Sequence, residues 1–165
     1  MPALYRDDRD RVEFLRHLAY AVSRTNSICA VYSVMSNHYH LILEVDDGAL
    51  PAAMHLVNRR YARYFNWTHG LRGHVFGERY GSRRIEDELD LLDTFTYVAR
   101  NSLKAGSCTN PADDPWSSYA ETVGLAVASS FVDASSVLNA IGRLTDDPVA
   151  ALRRRVEGPV PGTGL

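Results

Sequence analysis

Val12, Leu15, Leu18, Ala19 and Val22 recur at helical spacing and predict a helix over residues 8–25, with Asp7 or Asp8 able to cap its start. Asn26 and Ser27 interrupt that pattern. Residues 28–35, ICAVYSVM, are β-branched, aromatic and apolar, so they predict a strand. Ser36-Asn37 signals a tight turn, and residues 38–46, HYHLILEVD, form the second arm of a hairpin that Asp47-Gly48 closes off. Met54, Val57, Tyr61, Tyr64 and Phe65 make the apolar stripe of a second helix over 50–66, with Pro51 in its first turn and Gly70 beyond its end. Residues 74–85, HVFGERYGSRRI, carry strand-like residues broken by glycines and predict a short or bulged strand. A third helix is expected over 87–104, with Leu89, Leu92, Phe95 and Val98 or Ala99 on one side and Gly106 as terminator. From Ser107 onward there are prolines, a WSSY stretch and a weak helical pattern near Pro148–Val156. The order helix, strand, strand, helix, strand, helix is that of an α+β fold: a small antiparallel sheet covered by helices.

The chain has 165 residues, 45% hydrophobic and 23% charged, a balance that suits one globular domain. No apolar run approaches the roughly 20 residues a membrane helix needs. The start, MPALYRDDRDR, is polar and acidic, unlike a signal peptide, so the expected compartment is the cytoplasm. Cys29 and Cys108 belong to no CxxC pair, which leaves no cysteine-based zinc site in view and predicts free thiols. The net charge of −2 argues against a simple basic nucleic-acid binder. The distribution changes that picture. Between Arg59 and Arg84 stand Arg59, Arg60, Arg63, Arg72, Arg79, Arg83 and Arg84 against one acid, Glu78. Such a strip fits either phosphate binding or a solvated helix face.

His38 and His40 are two apart on the predicted strand, so both imidazoles project from one face and could converge on a divalent ion. Two histidines are too few for a closed structural zinc site, which points to an open site; the alternative is a pair of idle histidines on a half-exposed sheet face. Tyr97 and Asn101 are four apart on the third helix and share a face. A phenol can act as a covalent nucleophile, and an amide carbonyl can join a metal site. The alternative for Tyr97 is packing with its hydroxyl at the edge. No GxSxG, phosphate-binding glycine loop or HExxH is present. Trp67, His69, Trp116 and Tyr119 could stack on bases or close a core.

Taken together, these segments resemble a known family. NHYHLILEV looks like the HUH motif of single-tyrosine transposases, and YVARNSLKAG resembles the Tyr-x-x-x-Asn-Pro-x-(Arg/Lys)-Ala-Gly signature of the REP-associated tyrosine transposases. RRYARYFNWTHGLRGHVFGERYGSRRI and the later WSSY resemble the intervening and following stretches of that family. The similarity covers roughly residues 5–120. It implies a transposase-like domain over 1–120 and a C-terminal helical or irregular extension over 121–165. It further implies a ferredoxin-like sheet with helices on one face, His38, His40 and Asn101 as ligands of Mg2+ or Mn2+, and Tyr97 as nucleophile. The implied reaction is cleavage and rejoining of single-stranded DNA beside small hairpins, through a 5′-phosphotyrosine link and a free 3′-hydroxyl. Arg59, Arg60, Arg63, Arg79, Arg83 and Arg84 are the expected phosphate contacts, and the protein is expected to work as a monomer or homodimer. Two departures stand out: Asn101-Ser102 replaces Asn-Pro, and the family's first strand has no counterpart. That strand would lie beside the His-bearing one, which is therefore expected at an open edge. A late start codon, a decayed copy, or a strand supplied by a neighbour would each account for this. The rival functions are a catalytically inactive DNA-hairpin-binding protein and a metal-dependent hydrolase in which water replaces the tyrosine.

Overall fold

A computed structural model describes residues 3–77 and 79–159. Helix α1 spans Asp8–Arg24. Its start follows from local chemistry: the Asp7 carboxylate accepts the Asp10 N–H at 3.0 Å, and Asp8 and Asp10 put negative charge on the first turn, where the helix dipole favours it. Asn26, at φ +50°, turns the chain into strand β1, Ile28–Val34. Strand β2, Tyr39–Glu44, follows after a turn closed by the Met35 N–H donating to the His38 carbonyl at 2.9 Å. Helix α2 spans Leu50–His69, with a proline in its first turn and Gly70 (φ +64°) as its left-handed cap. The expected third helix is broken at Arg100 into α3, Glu88–Ala99, and the single turn α4, Asn101–Lys104. Three further helices follow: α5 (Tyr119–Thr122), α6 (Ser135–Ile141) and α7 (Pro148–Glu157).

The fold is α+β, with a two-stranded antiparallel sheet among the described residues. Ser33 pairs with His40 and Val31 with Ile42, with a bulge between Cys29 and Val31. The far edge of β1 is occupied. Val34 donates to the Trp116 carbonyl at 2.8 Å, Ser118 Oγ accepts from Tyr32 at 2.9 Å, and Asp133 donates to the Cys29 carbonyl at 2.9 Å. Since the backbone of Cys29, Tyr32 and Val34 faces that way, the opposite residues of β2, namely Leu43, Leu41 and Tyr39, turn their N–H and C=O groups away from β1. No strand lies beside them among the described residues.

Three expectations are corrected. Helices do not cover one face alone. Tyr39, Leu41 and Leu43 pack with α1 and α2, whereas Ile42 and Val31 pack with α3, α6 and α7. The cause is β1 itself, buried along almost its whole length, as an apolar strand sandwiched between two layers must be. The short strand expected over 74–85 does not form in the described residues of that segment, which run without regular structure. Val75, Phe76 and Tyr80 pack against the first core and Ile85 against the second, with no strand alongside to complete a ladder. Leu89, expected on the apolar side of the third helix, is exposed; Leu92, Phe95, Val98 and Ala99 make the buried stripe.

The α1–α2 layer is pinned by a buried carboxylate. Asp10 is 0% exposed and accepts from the Arg6 N–H at 2.7 Å and from His69 Nε2 at 2.9 Å. Asp10→Ala is expected to cost about 2–3 kcal/mol, because two hydrogen bonds to a buried carboxylate are lost. A urea midpoint unchanged by this substitution would refute that role. Among the described residues no helix is long and apolar enough to cross a membrane.

Candidate active site

An open groove of about 1490 Å3 runs along β2, and His38, His40, Tyr97, Arg79, Arg83 and Arg84 all line it. The histidines reach it because their parity on β2 sends them to the α3 side of the sheet. Their ring centroids are 4.9 Å apart and the rings are nearly perpendicular, at 87°. His38 Nδ1 lies 2.7 Å from Asn37 Oδ1, an acceptor, so the tautomer this contact favours in the neutral ring has its lone pair on Nε2. His40 Nε2 is buried and has no hydrogen-bond partner. Burial, then the charges of His38 and Lys104, hold the His40 imidazole down at about 4, so it is neutral at pH 7, the form that ligates metal.

That shift predicts a pH effect. Between the ordinary histidine value near 6.5 and the folded value of about 4, the unfolded chain binds a proton that the folded chain refuses. Stability is therefore unaffected above about pH 6.5 and is lost as pH falls toward 4. His40 is half-buried, and after solvent screening the loss is expected to be about 1–2 kcal/mol. Urea midpoints taken in EDTA at pH 7.5 and pH 4 should fall further for the wild type than for His40→Gln; equal falls would refute the assignment.

Tyr97 stands on α3, 48% exposed, with its ring edge-to-face on His40 at 5.3 Å between centroids. Helical periodicity, with Phe95 and Val98 buried, leaves Tyr97 at the border between core and groove. The ammonium of Lys104 sits 4.5 Å from the Tyr97 ring centroid. Asn101 lies one turn further on, buried, with its amide donating to the Tyr97 carbonyl at 2.9 Å. It is not among the residues lining the groove. No cluster of three His, Cys, Asp or Glu residues able to hold a metal occurs among the described residues. The donor set at hand is thus two imidazoles, one with an orphaned nitrogen. That set fits a divalent ion whose remaining positions are open to water and substrate.

The basic strip divides. Arg79, Arg83 and Arg84 lie on the groove, but Arg83 is already held by Asp90 at 2.8 Å and by Thr94. Arg59, Arg60 and Arg63 are exposed on α2, outside the groove lining, with Arg60 stacked over Tyr20 at 4.1 Å. His74 and Arg143 also line the groove. Sequence reasoning missed Arg143 because nothing in its neighbourhood announces a return to the sheet. No protein-family model matches the chain, and no curated protein or solved structure matches it.

Proposed function

We propose that the chain is a transposase-like DNA strand transferase that cuts and rejoins single-stranded DNA, in the cytoplasm, through a 5′-phosphotyrosine intermediate. One observation carries this reading: the half-exposed phenol of Tyr97 lies against His40, whose buried Nε2 has no partner, in a groove lined by arginines. His38 and His40 would hold Mg2+ or Mn2+, and Asn101, expected from the sequence as a third donor, would join them only by turning its side chain out of its bond to the Tyr97 carbonyl. A bound divalent ion supplies charge neutralisation at the phosphate. Arg79 and Arg84 hold the flanking phosphates. The Tyr97 oxygen attacks phosphorus, the phenolic proton leaves to solvent, and the bond to the 3′-oxygen breaks, with that oxygen departing as a free hydroxyl. Attack by a 3′-hydroxyl on the tyrosyl phosphate reverses the step and restores the phenol. The frame we propose is ferredoxin-like, with no strand beside the outer edge of β2 among the described residues.

The second reading is a DNA-hairpin-binding protein without catalysis. The position of Asn101 outside the groove lining favours it, since two protein donors hold a metal weakly. Labelled hairpin DNA with a single-stranded flank, incubated with protein and Mn2+, separates the two on a denaturing gel. A shifted protein–DNA band is expected; salt-sensitive binding with no such band under Mg2+ or Mn2+ would sink the enzymatic reading.

A further inference from the structure

We propose that Lys104 is the positioning residue of the candidate active site: its ammonium holds the Tyr97 ring against His40 and leaves the phenol oxygen free. The way the tyrosines are anchored carries this. Tyr39, Tyr61 and Tyr119 are tied by their hydroxyls, which donate to Asn58 Oδ1 at 2.8 Å, to the Leu4 carbonyl at 2.7 Å and to Glu157 Oε1 at 2.8 Å. The Tyr97 hydroxyl has no hydrogen-bond partner among the described residues, and Tyr97 is half-exposed. A helical side chain so placed has more than one staggered rotamer open to it. Two directional ring contacts remain to choose among them. The ring stands edge-to-face on His40 at 5.3 Å, and Lys104 Nζ lies 4.5 Å from the ring centroid. An attacking oxygen must be free of competing bonds, so a nucleophilic phenol has to be held by its ring.

Local backbone brings Lys104 to that ring. It follows Tyr97 by seven residues, which puts it on the same helical face, and a helical Cα–Cβ bond tilts back toward the N-terminus. The turn α4 is tied to the end of α3: the Asn101 amide donates to the Tyr97 carbonyl at 2.9 Å, and the Lys104 N–H to the Arg100 carbonyl at 3.0 Å. Lys104 forms no ion pair among the described residues, so its charge is not committed to a carboxylate. It is exposed and does not line the groove, whereas Tyr97 does, so the cation covers the ring from outside the path of a strand. Its charge also reaches His40, where it adds to burial and to His38 in disfavouring the imidazolium. The effect on adduct formation rests on the proposed strand-transfer reading; the hold on the ring does not.

The test begins with the full chain without DNA. Lys104 is the only lysine in the sequence, so 13C-lysine labelling gives one side chain to observe. Its Cε methylene is expected upfield, shifted by the Tyr97 ring, and should return to its ordinary position in Tyr97→Leu. Lys104→Met keeps the stem and removes the charge. In that variant the nuclear Overhauser contact between the Tyr97 and His40 rings is expected to weaken about two- to fivefold, the scale of an exposed cation–π contact. With labelled hairpin DNA and Mn2+, a strand over the groove excludes water and strengthens the contact. Single-turnover adduct formation by Lys104→Met should then slow about tenfold, with the half-saturating DNA concentration held within about twofold. Lys104→Arg keeps a cation over the ring and should restore both the ring contact and the rate. Four results would overturn the proposal: an unshifted methylene, an unchanged ring contact in Lys104→Met, an unchanged adduct rate there, or a half-saturating concentration that rises as the rate falls. The last would make Lys104 a phosphate contact. No adduct from the wild type, with the ring contact still dependent on Lys104, would remove the strand-transfer reading and leave the positioning of Tyr97 standing.

Discussion

Tyr97→Phe is expected to abolish the covalent protein–DNA adduct while leaving both the fold and DNA binding intact. The substitution removes one oxygen from a ring that is 48% exposed, so no buried contact is lost and stability should change by less than about 0.5 kcal/mol. The aromatic face that Lys104 covers is retained, as is the edge-to-face contact with His40. No other phenol lines the α3 side of the groove, since Tyr39 and Tyr80 pack with the α1–α2 layer. The nearest alternatives are two imidazoles, one bonded through Nδ1 to Asn37 and the other with a buried Nε2 that has no hydrogen-bond partner. Adduct yield is therefore expected to fall by more than about 1,000-fold, the scale of losing a covalent nucleophile. Gel-shift affinity for the same hairpin DNA should stay within about twofold, because the groups assigned to phosphate binding are arginines. Persistence of the adduct in Tyr97→Phe would show that another side chain attacks. Persistence of cleavage without an adduct would instead assign the chemistry to water.

Much of this site was legible because it rests on local periodicity. The alternation in HYHLILE fixes His38 and His40 on one face and Tyr39, Leu41 and Leu43 on the other, whatever the rest of the chain does. The i, i+4 relation of Tyr97 and Asn101 was equally readable, but its consequence was not. The helix breaks at Arg100, and Asn101 turns its amide to the carbonyl of Tyr97 rather than lining the groove. The arginine strip misled for a related reason. It is contiguous in sequence, yet it passes from the outer face of α2 to the segment after it, so only its later members meet the histidines. The far edge of β1 was beyond local reading altogether. It is closed by Trp116, Ser118 and Asp133, more than eighty residues away, through backbone bonds that leave no trace in hydrophobic spacing. Residues 74–85 have the composition of a strand, but composition alone makes no ladder when no neighbouring strand faces it.

The largest effect on stability is expected where the last helices meet the helix that carries Tyr97. Phe95 is 0% exposed, and its ring meets Tyr119 edge-on at 6.2 Å. Val137, Ile141, Leu152 and Val156, from α6 and α7, belong to the same buried cluster. Phe95→Ala opens a cavity in this layer and is expected to cost about 3–5 kcal/mol, a drop of roughly 10 °C in Tm. The consequence extends to the site because Tyr97 is two residues away on the same helix. Around it, α3 is clamped by Arg143 to Glu88, by Arg155 to Asp93 at 2.7 Å, and by Arg100 donating to the carbonyls of Arg155 and Gly158. With the apolar half of this joint removed, the polar clamps must hold the phenol in place alone. Adduct formation should therefore decline at temperatures below the new Tm, whereas Phe95→Leu, which keeps most of the volume, should retain it. The urea midpoint should fall without a change in m, as befits a packing loss in the folded state. A cost below about 1 kcal/mol for Phe95→Ala would mean that α6 and α7 are not structurally coupled to α3, and that the position of Tyr97 is set by the sheet alone.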